Sequence, residues 1–150
     1  MSFFDLFKKT TEDEYCIMAQ LNARAGKFKE AVRLYSKAIE INPDKGYYYQ
    51  ERAGALSNSQ KIAFGQTKNL NDDKVLADYN KAIELYDFSL NNNDNNILVK
   101  NRIAKAYYDR GYLKYFMEDE KGATQDALKA QELGHPASDL IELTSKYTKE

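Results

Sequence analysis

The sequence contains very little cysteine, histidine or proline. Cys16 is the only cysteine among 150 residues, which excludes an intramolecular disulfide and a metal site built from several cysteines. A single cysteine suits a reducing compartment, so we expect a cytoplasmic protein. His135 is the only histidine and lies in the helix-stopping sequence Gly-His-Pro. Pro43 and Pro136, the two prolines, each follow a helical pattern, as expected of an all-helical chain.

Motifs of the common catalytic and cofactor sites are also missing. The chain has no glycine-rich phosphate loop, no metal-ligand spacing and no serine-hydrolase elbow. Its many carboxylates lie on predicted solvated helix faces or in the pair Asp72-Asp73, and nothing singles out a catalytic pair. We therefore predict a protein that is not an enzyme and uses no cofactor and no metal.

The chain has neither a large net charge nor a long apolar run. The net charge is −1, from 22 basic and 23 acidic residues, which argues against a general nucleic-acid binder. No run approaches the roughly 20 apolar residues that a membrane span needs, so no span is predicted. Apolar residues still make up 43% of the chain, which is enough to build a core.

Residues 1–11 read as an amphipathic leader that contains Phe3, Phe4, Leu6 and Phe7. The apolar residues precede the lysines, which is the reverse of a secretory signal. The leader either anchors the chain to a membrane or partner, or folds against the rest of the chain. We expect the second, because leaving three phenylalanines in water is costly.

The segment from Gly26 to Pro43 contains a pattern of residues that recurs twice later in the chain. Its core residues are Ala31, Tyr35 and Ala38, which are four and then three residues apart and so share one helix face. The same spacings recur in Val75, Tyr79 and Ala82, and again in Ala123, Ala127 and Ala130. Small residues at the ends of the face allow close helix approach, and the central residue fills the gap. One such helix cannot bury this face alone, so a stacked array of similar units is predicted.

This pattern resembles the tetratricopeptide repeat family over about residues 12–150. The residues that carry the resemblance are Gly26, Phe28, Ala31, Tyr35, Ala38 and Pro43, then Tyr49, Ala53, Val75, Tyr79 and Ala82, then Tyr107, Gly111, Ala123, Ala130 and Pro136. The resemblance implies an all-α, right-handed superhelix (an α-solenoid) of three helix hairpins plus a C-terminal capping helix. It also implies that the first helix of each hairpin lines a concave groove for a peptide or partner helix.

The predicted units are 12–45, 46–89, 90–136 and the capping helix 137–150. A capping box at Thr11 to Glu14 should begin the first helix. Between Ala38 and Ala82 lie about ten residues more than the ~34-residue period, and we assign the surplus to about 61–74. This insertion is either a functional loop or a neutral addition. The third unit has an extended first helix from about Ile97, and it departs from the family at several positions: Arg110, Lys114, Glu118 and Glu120.

Family phase places a set of polar and aromatic residues in the groove: Gln20, Arg24, Tyr47, Gln50, Asn58, Lys105, Tyr108, Tyr112, Tyr115 and Phe116. Tyrosine combines contact area with a polar tip, which suits binding. Arg24 and Lys105 would favour an acidic or C-terminal group on the ligand. Two further roles stay open for the tyrosine stripe, namely packing against the chain itself and burial in a homodimer.

Some chaperone-docking members of the family hold a peptide's C-terminal carboxylate with basic and amide groups. The matching positions are Cys16, Gln20, Glu51, Lys105 and Asp109. Two of the five are acidic, so this carboxylate clamp is predicted to be absent. We predict a protein-interaction module that holds a peptide or helix of unidentified source. The alternatives are a self-associating protein with an aromatic interface and an RNA-binding helical repeat, against which the near-neutral charge counts.

Overall fold

The computed structural model describes residues 10–64, 72–92 and 96–145, and within them it contains seven α-helices and no strand. The predicted leader lies almost wholly outside this part of the chain. The helices are α1 (Glu12–Arg24), α2 (Phe28–Ile41), α3 (Gly46–Phe64), α4 (Asp72–Asn91), α5 (Ile97–Phe116), α6 (Glu120–Glu132) and α7 (Ser138–Ser145). Each helix packs against the next one along the chain, and α5 also touches α7. The predicted all-α helical-repeat fold is confirmed.

Helix α1 begins at the predicted capping box. Thr11 accepts a hydrogen bond from the Glu14 backbone N–H at 3.2 Å, and the Glu14 carboxylate accepts one from the Thr11 N–H at 2.8 Å. The helix stops at Gly26, whose φ of 73° lies in the left-handed region. The next N–H, that of Lys27, then bonds back to the Asn22 carbonyl at 2.9 Å, which satisfies a helix-end acceptor.

The same helix stop recurs with a different residue at the end of α5. Glu118 takes a φ of 65°, and the Asp119 N–H bonds back to the Lys114 carbonyl at 2.9 Å. Glu118 therefore occupies the position that Gly26 holds in the first hairpin. In this conformation the Cβ of a residue other than glycine lies too close to the following carbonyl oxygen, which destabilises the backbone there.

The recurring small–large–small pattern forms the core, as the spacing predicts. Ala31, Tyr35 and Ala38 are fully buried, and so are Val75 and Ala82, with Tyr79 nearly so. Helices α5 and α7 approach each other closely at Gly111, where an added Cβ would lie only 2.8 Å from Leu140 Cδ2 on α7.

The surplus segment 61–74 is helical at both of its ends. Helix α3 runs on to Phe64, and α4 starts at Asp72 and continues to Asn91. Only residues 65–71 of the insertion lie outside the described part of the chain.

A largely buried arginine links each of the second and third hairpins to the hairpin before it. Arg52 donates to both Asp78 carboxylate oxygens, at 2.8 and 2.7 Å, and also to Ser36 Oγ on α2 at 3.0 Å. Arg110 repeats this arrangement one hairpin later. It donates to both Asp126 oxygens at 2.7 Å and to Asn80 Oδ1 on α4 at 2.8 Å.

The third hairpin adds a second cation to this link. Lys114 Nζ lies 2.9 Å from Asp126 Oδ2, and the Asp126 side chain is only 5% exposed. Arg110 and Lys114, which depart from the family pattern in the sequence, are therefore the partners of a single buried carboxylate.

Replacing Asp126 by alanine should lower the free energy of unfolding by about 3 kcal/mol, because Arg110 and Lys114 would stay largely buried without their shared anion. Urea denaturation followed by circular dichroism measures the change. Glu132→Ala, which removes the exposed ion pair with Lys129, is the control and should change stability by less than about 0.5 kcal/mol. Equal effects of the two substitutions would show that burial of the Asp126 link contributes nothing special.

Replacing Glu118 by glycine should raise the free energy of unfolding by about 1 kcal/mol, because it removes the left-handed strain. For a chain of this size the thermal midpoint should rise by about 2–4 °C. Glu118→Ala keeps the Cβ while removing the carboxylate, so it should give no such gain in calorimetry. A gain of the same size from alanine would mean that charge, and not backbone strain, limits this helix end.

Candidate functional site

Tyr47 joins the first helices of all three hairpins. Gln20 on α1 donates from Nε2 to the Tyr47 hydroxyl at 2.7 Å, and the guanidinium of Arg102 on α5 lies 4.3 Å from the Tyr47 ring centroid. A cation over an aromatic face is attracted by the ring quadrupole. We refer to Gln20, Tyr47, Glu51, Arg102, Lys105 and Asp109 as the first-helix face.

This face carries charges of both signs. Lys105 Nζ lies 2.5 Å from Asp109 Oδ2, one helical turn along α5, while the Lys105 side chain remains 59% exposed. Glu51 on α3 accepts a hydrogen bond from the Tyr35 hydroxyl at 3.4 Å. Burial raises the pKa of the Glu51 carboxyl, although the hydrogen bond from Tyr35 and the charges of Lys105 and Arg102 oppose that effect. The face is thus polar, with two cations and two carboxylates close together.

Cys16 lies beneath this face and is buried. The Gln20 amide lies 3.8 Å from its sulfur. Burial raises the pKa of the thiol to about 11, so the thiol is protonated at neutral pH and is a poor nucleophile. Cys16 acts here as a small core residue.

Gln50, which family phase places in the groove, is instead a core residue. It is 5% exposed, its Oε1 accepts from the Tyr86 hydroxyl at 2.7 Å, and its Nε2 donates to the Arg102 carbonyl at 3.4 Å. Glu51, its neighbour in sequence, faces Tyr35 instead. A rotation of about 100° per residue separates the two side chains, and the periodicity of α3 is too weak to phase them.

The aromatic stripe of α5 packs against the C-terminal helix. The hydroxyls of Tyr108 and Tyr112 both donate to Asp139 Oδ2 on α7, at 2.8 and 2.7 Å, and together they hold the pKa of Asp139 below its usual range. The two rings meet edge to face at 5.1 Å, and Tyr108 also stacks near His135 at 4.5 Å. Of the three roles open to this stripe, these contacts support packing against the chain itself. The contacting element among the described residues is α7.

The remaining groove candidates pack elsewhere on the chain or are exposed. Tyr115 packs against the same core cluster as Tyr108 and Tyr112, and Phe116 is exposed beside it with ring centroids 5.7 Å apart. Arg24 is exposed in the last turn of α1, and Asn58 is exposed on α3. The structure therefore joins Gln20 to Tyr47, and Lys105 lies on the same face of α5 as Arg102, which contacts Tyr47.

Arg102 is the residue of the first-helix face that sequence reasoning missed. It lies three residues before Lys105 and seven before Asp109, so the three share one face of α5. That spacing was available in the sequence. The prediction followed the tyrosine stripe instead, because that stripe is the stronger pattern and lies on a neighbouring face of α5.

Within the described ranges, no group of three histidine, cysteine or acidic residues could hold a metal ion. In the same part of the chain, no helix is both long and apolar enough to cross a bilayer. A cavity of about 400 Å³ lies at the turn between α1 and α2, and Phe28 and Ser59 are among its lining residues. None of its lining residues belongs to the first-helix face.

Comparison with known proteins identifies the architecture. The tetratricopeptide repeat family model matches residues 13–45, the first hairpin. The first tetratricopeptide domain of Spaghetti (RPAP3), solved with the HSP90 peptide SRMEEVD, superposes with a TM-score of 0.70 at 20% identity. That superposition covers 93% of this chain and 94% of the solved one. The described array has the tetratricopeptide-repeat fold. The resemblance drawn from the sequence is confirmed.

Two further tetratricopeptide-repeat domains have a similar structure. The Sgt2 domain from Aspergillus fumigatus gives a TM-score of 0.66 at 24% identity and covers 93% of this chain and 80% of its own. The Arabidopsis OM64 domain gives 0.69 at 19% identity, with 91% and 95% covered. Hsc70-interacting proteins 1 and 2 of Drosophila melanogaster are each 28% identical over 149 residues, or 95% of this chain. The chain spans 32% of the length of these two relatives.

Replacing both Tyr108 and Tyr112 by phenylalanine should loosen α7, because two hydrogen bonds to Asp139 are lost while both rings remain. Amide hydrogen exchange in α7 should accelerate by about tenfold or more, at about 1 kcal/mol per hydrogen bond. Tyr15→Phe on α1 is the control and should leave exchange in α7 unchanged. Unaltered exchange in the double variant would mean that these hydroxyls do not hold α7 in place.

Proposed function

We propose that this tetratricopeptide-repeat array is a non-catalytic protein-interaction module that binds a peptide segment along its first-helix face. The observation that carries the proposal is the bridge Gln20–Tyr47–Arg102, which joins α1, α3 and α5 into one surface. Because both contacts are already made within the chain, the surface is preformed, and binding loses little conformational entropy in ordering it.

The chemistry of this surface suits a peptide backbone. Gln20 and Arg102 carry N–H donors that can serve peptide carbonyl oxygens, and the Tyr47 ring adds contact area. The relatives lend support, since the RPAP3 domain is bound to an HSP90 peptide and the Drosophila relatives are named for interaction with Hsc70. A chaperone-derived peptide is therefore a reasonable first probe, and the single cysteine suits an interaction in a reducing compartment such as the cytoplasm.

A selection of random 12-residue peptides displayed on phage, together with SRMEEVD, supplies the ligands for a test on the full chain. Backbone amide shifts in NMR should move on α1, α3 and α5 when an enriched peptide is added, and much less on α2, α4 and α6. Arg102→Ala should weaken that peptide by about tenfold in fluorescence polarisation, because it removes donors and half of the stacked pair.

Arg33→Ala is the matched control. Arg33 is an exposed arginine on α2, paired with Glu30 at 2.6 Å, and its removal should leave peptide affinity unchanged. The proposal is rejected if no peptide is retained, if the shifts map to the second helices, or if the two arginine variants weaken binding equally.

A further inference from the structure

Glu51 is a carboxylate on the first-helix face that forms no ion pair among the described residues, although the charges of Lys105 and Arg102 lower the pKa of its carboxyl. Its hydrogen bond comes from the neutral hydroxyl of Tyr35, at 3.4 Å. Among the ion pairs of the described residues, none includes Glu51. The side chain is also partly buried, and burial raises the pKa of its carboxyl. A carboxylate in this setting gains more from a cation than one in open water does.

The two cations of the face are held by other groups. Lys105 Nζ lies 2.5 Å from Asp109, and the Arg102 guanidinium lies over the Tyr47 ring at 4.3 Å. The other acidic links of the array behave differently, because Asp78 and Asp126 are both paired bidentately with arginine. Glu51 therefore differs from Asp78 and Asp126 in having no arginine partner among the described residues, and it lies one helical turn from Tyr47.

We propose that Glu51 makes the first-helix face selective for a peptide that carries a lysine or arginine side chain, which pairs with the Glu51 carboxylate. The inference rests on the proposed peptide-binding function and deepens it by naming the charge of the ligand. It reverses the expectation that Arg24 and Lys105 select an acidic or C-terminal group. Charge-assisted hydrogen bonds are about twice as strong as neutral ones, so the ligand cation would dominate selectivity at this position.

The direct test uses a probe that needs no identified partner. Nα-acetyl-lysine N-methylamide is titrated into the full chain, and the side-chain carboxyl ¹³C signal of Glu51 is followed by NMR. The neutral probe is Nα-acetyl-norleucine N-methylamide, whose side chain has the same four carbons and lacks the terminal amine. We expect the lysine probe to bind at least about tenfold more tightly than the norleucine probe, with Glu51→Gln abolishing the difference. Glu84→Gln, on exposed Glu84 of α4, should change nothing.

Glutamine keeps the size of Glu51 and can still accept from Tyr35, and a thermal melt of the variant checks that it folds. Equal binding of the two probes, or a preference that survives Glu51→Gln, overturns the inference.

Peptide selection separates this failure from failure of the proposed function. If wild-type protein enriches lysine- or arginine-containing peptides and Glu51→Gln does not, the inference is supported. If neutral or acidic peptides bind the first-helix face equally well in both proteins, peptide binding stands and cation selectivity is overturned. If the lysine probe reaches Glu51 and no peptide is enriched, the cation site stands and peptide binding fails.

Discussion

The stacking of this array depends on an arginine that bonds forward within its own hairpin and back to the one before. Arg52 and Arg110 each pair bidentately with an aspartate on the second helix of their own hairpin. Each also donates one further hydrogen bond to the preceding second helix, at Ser36 or Asn80. One planar guanidinium thereby fixes three helices at once, which lysine could not do with the same geometry.

The first hairpin has different residues at the positions of this link. Counted from the buried alanines, Met18 and Leu34 occupy the positions that Arg52 and Asp78 hold one hairpin later. An apolar pair of residues thus stands in the first hairpin where the later hairpins have an ion pair. In both hairpins that have the ion pair, the arginine also has a third partner on the preceding helix. That extra hydrogen bond helps to offset the desolvation that a buried pair must bear.

The fold followed from the sequence because its signals are local. The Ala31–Tyr35–Ala38 spacing, the capping box at Thr11 and the stop at Gly26 each depend on residues within a few positions of one another. The site was harder to predict because it depends on the rotation of a helix about its own axis. Gln50 and Glu51 are adjacent in sequence, yet one is bonded in the core and the other lies on the first-helix face. Likewise, the spacing of Tyr108 and Tyr112 shows that they share a face, but only the path of the chain after Pro136 shows that α7 covers it.

The charges that hold the hairpins together and the charges of the proposed binding face lie on different parts of the molecule. The buried pairs of Arg52 and Arg110 lie between first and second helices, where any substitution disturbs the stacking. Arg102, Lys105 and Glu51 lie on the first helices, and the contacts that place them on the face are made by their side chains. Since each hairpin contacts mainly its neighbours, we expect a change of one residue on the proposed binding face to alter peptide binding and to leave the stacking of the array in place. We therefore expect selectivity in this array to reside in a few side chains on a rigid support, and Glu51 is the carboxylate of the first-helix face that has no ion pair among the described residues.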